Sequence, residues 1–146
     1  MTTASALLLV VGVILVATAL GLLLRALPSR RRTVRLPSGD AAGAAREIGV
    51  DLDGGRCTFV QFSTVHCARC PGVRRALRPV AAGHGITWRD VDLTDSPEIA
   101  ARWKVLTTPT LVLLDPAGSP LARWTGAVTA AAVRQELTSL SPQESP

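Results

Sequence analysis

TFVQFSTVHCARCP, residues 58–71, changes character half-way along. Phe59 to Phe62 is a short run of β-formers and is predicted to be a buried strand. The chain then breaks into a Cys-x-x-Cys pair, Cys67 and Cys70. Beyond it Val73, Leu77 and Val80 recur at helical spacing. The pair therefore falls where a strand hands over to a helix, with Cys67 at or just before the helix start and Cys70 in its first turn. Pro71 suits that place, because a first-turn residue has no intrahelical partner for its N–H.

The position matters because the thiolate is the nucleophile in thiol chemistry, and the orphan N–H groups of a helix N-terminus favour it. Cys67 is predicted to be the more acidic thiol, helped by His66 and by Arg69. Cys70, one turn in, is placed to resolve a mixed disulfide. Two blander readings compete. The pair could be inert, or it could be half of a zinc site. A structural zinc site needs four ligands, and the other thiol and imidazole candidates, Cys57, His66 and His84, form no second paired knuckle. Redox use is the preferred reading, with no metal and no cofactor. Cys57 is read as a buried structural thiol and His84 as a loop histidine.

Upstream, Ala4–Leu24 contains no charged residue and is rich in Leu, Val and Ala. As a helix it would rise about 31 Å, enough to cross a bilayer core. A membrane span is expected over 4–24. A cleaved signal peptide with Ala17-Thr18-Ala19 as its cleavage site is the weaker alternative, because no Lys or Arg precedes residue 25 and the apolar run continues past that site. Arg25, Arg30, Arg31, Arg32 and Arg35 follow at once. From Leu36 onward ten Arg and one Lys face eleven acidic residues, so the net charge of +5 resides in this cluster. Basicity confined to one segment, with five aromatic residues in the chain, argues against nucleic acid as a partner. The positive-inside rule instead places the C-terminal side in the cytoplasm, and the cluster could also touch anionic headgroups.

Residues 25–45 are read as a basic juxtamembrane segment and linker, with Pro37-Ser38-Gly39 and the small-residue run Ala41–Ala45 as its signals. The domain is expected to occupy 46–141 and a flexible tail 142–146. Within the domain, Glu47–Leu52 is a possible short strand or turn. Strands are predicted at Cys57–Ser63, Ile86–Leu93, Leu111–Leu114 and Leu121–Thr125. Helices are predicted from Pro71 to about Ala82, kinked at Pro79, from Ser96 as cap through Trp103, and over Ala130–Leu140. This is an α/β order in which the first two strands should be parallel and the last two a hairpin.

From about Cys57 to Leu140 the chain resembles the thioredoxin family. The resemblance rests on Cys67-Ala68-Arg69-Cys70 after a strand, on Val91-Asp92 with Asp95-Ser96-Pro97-Glu98, and on Thr108-Pro109-Thr110 before an apolar strand, followed by Gly126. It implies a thioredoxin-like fold, a central mixed sheet flanked by helices, here preceded by one transmembrane helix. It further implies that Cys67 attacks a substrate disulfide, that Cys70 resolves it, and that a cis Thr108–Pro109 bond presents backbone for substrate pairing. Gln61 stands where thioredoxins proper commonly hold a buried acid, and His66 and Ala68-Arg69 replace the usual Trp and Gly-Pro. Gln61, His66 and Arg69 are therefore the residues expected to tune the thiolate.

The expected activity is that of a membrane-tethered thiol–disulfide oxidoreductase that reduces protein disulfides and contributes to cell redox homeostasis. Its partners would be a protein disulfide and a reductant, either a thioredoxin reductase or a membrane electron donor. An extracytoplasmic reductase, acting in cytochrome maturation or on envelope disulfides, is the alternative on the other side of the membrane. A non-catalytic thioredoxin-fold adaptor or zinc-binding module is the alternative of another class.

Overall fold

The computed structural model describes residues 3–26 and 40–140, with side chains in the first segment described over residues 10–22. The two parts belong to separate units, Met1–Arg30 and Arg31–Pro146.

In the first unit, helix α1 runs Thr3–Ala26. A run of Leu, Val and Ala without Pro, uncharged as far as Arg25, favours an unbroken helix. Among the described residues no helix is long and apolar enough to cross a membrane. The expected span over 4–24 extends on both sides past the side chains that are described. Within them Val13, Leu15, Val16 and Leu22 are all more than 60% exposed. The hydroxyl of Thr18 donates to the Ile14 carbonyl at 2.7 Å, so this polar group is satisfied inside the helix. The arginines at 30, 31, 32 and 35, the side chain of Arg25, most of the expected linker and the tail 142–146 lie outside the described residues.

The second unit is built on four strands, β1 Thr58–Ser63, β2 Thr87–Asp92, β3 Thr110–Leu114 and β4 Pro120–Thr125, in the order β2-β1-β3-β4. Strand β1 pairs parallel with β2 and antiparallel with β3, and β3 and β4 form a hairpin. Both features match the sequence expectation. The hairpin turn is held by Asp115, whose carboxylate accepts from the N–H groups of Ala117 and Ser119, each at 2.8 Å.

Helices cover both faces of the sheet. Because side chains alternate along a strand, Phe59 points to one layer while Val60 and Phe62 point to the other. On the first face α3 (Cys70–Gly83) and α5 (Ala130–Leu140) contribute Val73, Leu77, Val133 and Leu137 to a core around Phe59, Leu111 and Leu113. On the second, α2 (Ala41–Glu47) and α4 (Pro97–Arg102) cover Val60, Phe62, Val112 and Trp103. Burial on both sides explains why β3 reads as a continuous apolar run and why β1 is apolar on both faces apart from Gln61, rather than alternating.

Several expectations need correction. Residues 41–45, read as part of a linker, form most of α2, and Ala44 and Ala45 are buried. Regular structure is therefore already present at the N-cap Asp40, whose carboxylate accepts from the Gly43 N–H at 2.7 Å, ahead of the expected start near Arg46. Of the two readings of Glu47–Leu52 the turn is the one found, since Glu47 ends α2 and the chain turns through Gly49. Ser96 occupies the N-cap of α4, with Pro97 at its first position, but its hydroxyl makes no capping hydrogen bond. Helix α3 starts at Cys70 rather than Pro71 and ends at Gly83, with Pro79 inside it.

Candidate functional site

The carboxyl end of β1 feeds two successive turns. The Cys67 N–H donates to the Thr64 carbonyl at 3.0 Å, and the Cys70 N–H donates to the Cys67 carbonyl at 3.2 Å. The two cysteines are thus the first and last residues of one turn, with Ala68-Arg69 at its centre. This is the physical reason for the spacing: a turn returns the chain so that residues three apart come close. The Cα atoms lie 5.5 Å apart and the sulfurs are joined in a disulfide, within the roughly 4.4–6.8 Å that such a bond requires.

The surroundings of the two sulfurs differ. Cys70 is the first residue of α3 and is 3% exposed, whereas Cys67 stands ahead of the N-cap Arg69 and is half-buried. His66 and Arg69 flank Cys67 in the chain and are both exposed. Arg69 is the N-cap of α3 without making a side-chain capping bond, so its guanidinium stays in solvent beside the motif.

Gln61 is fully buried on the α3 side of β1. Its Nε2 donates to the Cys70 carbonyl at 3.2 Å, and its Oε1 has no hydrogen-bond partner. The residue singled out as a departure from thioredoxins proper therefore touches the backbone of the second cysteine directly.

The Thr108–Pro109 peptide bond is cis, as the resemblance implied. Thr110 pairs with Phe62, so Thr108 and Pro109 project past the end of β1 from which the cysteine loop departs. Pro109 is buried and its carbonyl accepts from the Gly126 N–H at 2.9 Å. The Pro109 carbonyl is thereby occupied. Thr108 is half-buried and lies just outside β3.

Two supporting roles were not read from sequence, although Asp92 itself was quoted there as part of a motif. Asp92 accepts from both the N–H and the hydroxyl of Thr94, at 2.9 and 2.5 Å, and the Thr94 hydroxyl accepts from the Val65 N–H at 3.0 Å. These bonds tie the loop before Cys67 to the end of β2. The hydroxyl bond and then the backbone bond hold the Asp92 carboxyl below its ordinary pKa. The signal was an Asp two residues before a Thr, a common turn pattern. Arg123, 6% exposed, donates to the carbonyls of Trp103 at 2.8 Å and Lys104 at 3.3 Å, where α4 ends. Burial lowers its guanidinium pKa. Nothing in an alternating strand pattern marks that role.

Among the described residues no group of three His, Cys, Asp or Glu side chains could hold a metal ion. Cys57 is a free thiol at the amino end of β1, the opposite end from the pair, so the topology does not gather the zinc ligands considered from sequence.

Residues 50–141 match the family model described as a thioredoxin-like domain. The chain belongs to that thioredoxin-like family. Its fold is similar to that of Fasciola hepatica thioredoxin, at 23% identity and a TM-score of 0.53, over 70% of this chain and 92% of that one. It is also similar to thioredoxin-2 of the malaria parasite, described as a component of the parasite's protein secretion machinery, at 21% identity and a TM-score of 0.51, over 57% of this chain and 82% of that one. No curated protein matches the chain significantly.

Proposed function

We propose that the protein is a membrane-tethered thiol–disulfide oxidoreductase that reduces disulfides in other proteins. The observation that carries this reading is the asymmetric Cys67–Cys70 disulfide, one sulfur half-buried and the other enclosed, at the head of α3. In the reduced protein the Cys67 thiolate attacks one sulfur of the substrate disulfide. A Cys67–substrate bond forms, the substrate bond breaks, and the first substrate thiolate leaves. Cys70 then attacks the Cys67 sulfur, closing the intramolecular disulfide and releasing the second substrate thiolate. Two electrons pass to the substrate, whose thiolates take up the two protons the cysteines give up. A dithiol reductant, a thioredoxin reductase or a membrane electron donor, restores the pair.

His66 and Arg69 place positive or protonatable groups beside the attacking sulfur, which favours its thiolate form. Thr108 and Pro109 supply the backbone against which a substrate segment lies. Reduced full-length protein in detergent is expected to reduce insulin, used as a generic protein disulfide. Cys67→Ser is expected to abolish that turnover. Equal turnover by this variant would rule out Cys67 as the attacking group.

The tether is the α1 segment, whose described side chains are apolar apart from Thr18 and largely exposed. Arg25 stands in the last turn of the segment and Arg30, Arg31, Arg32 and Arg35 follow it, which favours a cytoplasmic domain. A reporter active only after export, fused behind Pro146, is expected to be silent. Strong reporter activity would put the domain on the outer side.

A further inference from the structure

The Cys67–Cys70 chemistry sits at one end of the sheet, and the other end holds a groove of about 350 Å³. Its apolar lining comes from Ile86, Leu113, Leu121 and Leu137, that is, from the start of β2, the β3–β4 hairpin and the last helix. Leu113 and Leu137 are buried, and Ile86 and Leu121 are half-buried. Three residues give it a polar side. Arg56 and His84 are exposed, and the half-buried Cys57 lies next to Arg56 in the chain.

The volume falls at the low end of small-molecule sites, and an apolar lining with a few polar groups at one side is how such sites orient a ligand. Among the described residues the ion pairs use Arg74, Arg78 and Arg102, and leave Arg56 outside them. Asp115 is the carboxylate that acts on Cys57, and its charge is engaged by the two N–H groups of its own turn. The groove thus pairs an apolar wall, partly exposed at Ile86, Leu121 and Leu140 and backed by Leu113 and Leu137, with a guanidinium and an imidazole at its exposed side. That combination is complementary to a single apolar chain ending in an anion, and the small volume excludes a two-chain lipid.

We propose that this groove binds a free medium-chain fatty acid, its chain against Leu113 and Leu137 and its carboxylate held by Arg56 and His84. The site is separate from the redox pair and does not depend on it.

In the oxidised protein Cys57 is the one cysteine outside the disulfide, so alkylation by N-ethylmaleimide reports on this groove alone. Burial, and then the Asp115 carboxylate, raise the pKa of its thiol, which keeps alkylation slow and easy to follow. The experiment uses the full chain in phosphatidylcholine nanodiscs with decanoate as the probe. At ten times its dissociation constant, decanoate should slow Cys57 alkylation about ten-fold, since only the unoccupied fraction reacts. Decanol, with the same chain and no charge, should slow it far less, and Arg56→Glu should remove the difference between the two. Unchanged alkylation, equal slowing by decanol, or an undiminished decanoate effect in Arg56→Glu would overturn the proposal. So would slowing by phosphatidylglycerol nanodiscs without decanoate, which would assign the face to a bilayer surface. Slowing by decanoate only in a variant ending at Leu140 would show that the chain's own last residues occupy the groove, and would overturn it equally.

Discussion

Gln61 places a neutral amide, fully buried, against the backbone of Cys70. Its one hydrogen bond stabilises the fold by about 1 kcal/mol, while its unpartnered buried Oε1 costs about 1–3 kcal/mol. The amide therefore adds little to stability, and its one hydrogen bond is with the backbone of the cysteine turn. Gln61→Glu is predicted to be destabilising in a pH-dependent way. Burial would raise the new carboxyl above its unfolded value of about 4.3. A raised folded pKa means that stability is retained below that unfolded value and lost as pH rises through the folded one. Urea unfolding should show a deficit for the variant that is small near pH 4 and grows toward pH 8. An equal deficit at both would mean that the position is wet. At this scale the two cysteines were legible, because a spacing of three is itself a turn geometry. Gln61 could be picked out as unusual, but its bond to the Cys70 carbonyl was not legible, since it depends on how the first turn of α3 returns over β1. The Val65–Thr94–Asp92 tie was illegible for a similar reason: it joins segments 29 residues apart.

Helix α2 shows where periodicity fails at the scale of an element. Seven residues, AAGAARE, carry no large apolar side chain, so no helical stripe can be read from them. Their smallness is the structural signal, because it lets the backbone come close to the β3–β4 turn. A Cβ on Gly118 would lie 3.0 Å from the Ala45 Cβ and 3.2 Å from the Ala41 carbonyl oxygen. Gly118 also has a φ of 84°, which L side chains rarely adopt. Gly118→Ala is predicted to cost roughly 2–4 kcal/mol, combining backbone strain with overpacking against α2. Gly55→Ala is the control. Its φ is 60° with open space around the new methyl, so only the strain remains, roughly 1–2 kcal/mol. Denaturant unfolding of the two variants measures the difference. Equal losses would mean that α2 does not pack on that turn in solution. The strands and α3 were legible to within a few residues from local patterns, such as the apolar run of β3, the apolar residues flanking Gln61 in β1, and the 3.6-residue repeat of Val73, Leu77 and Val80 in α3.

At the scale of the whole molecule, β1 is the organising element. It pairs with strands on both sides, gives Phe59 to one core and Phe62 to the other, and delivers the chain into the Cys67–Cys70 turn. The ends of the sheet differ in chemistry, with a redox-capable disulfide at one and a free thiol in an apolar groove at the other. The central proposal, that Cys67 attacks and Cys70 resolves, rests on the difference in burial between the two, Cys67 half-buried and Cys70 enclosed. The direct measurement is a trapping comparison in cells that make the full chain: acid-quench, block free thiols, and count protein adducts on non-reducing gels for Cys70→Ser and for Cys67→Ser. Cys70→Ser is predicted to accumulate mixed disulfides that vanish on reduction and map to Cys67, while Cys67→Ser accumulates few. Equal trapping by the two variants, or adducts that map to Cys57, would contradict the account.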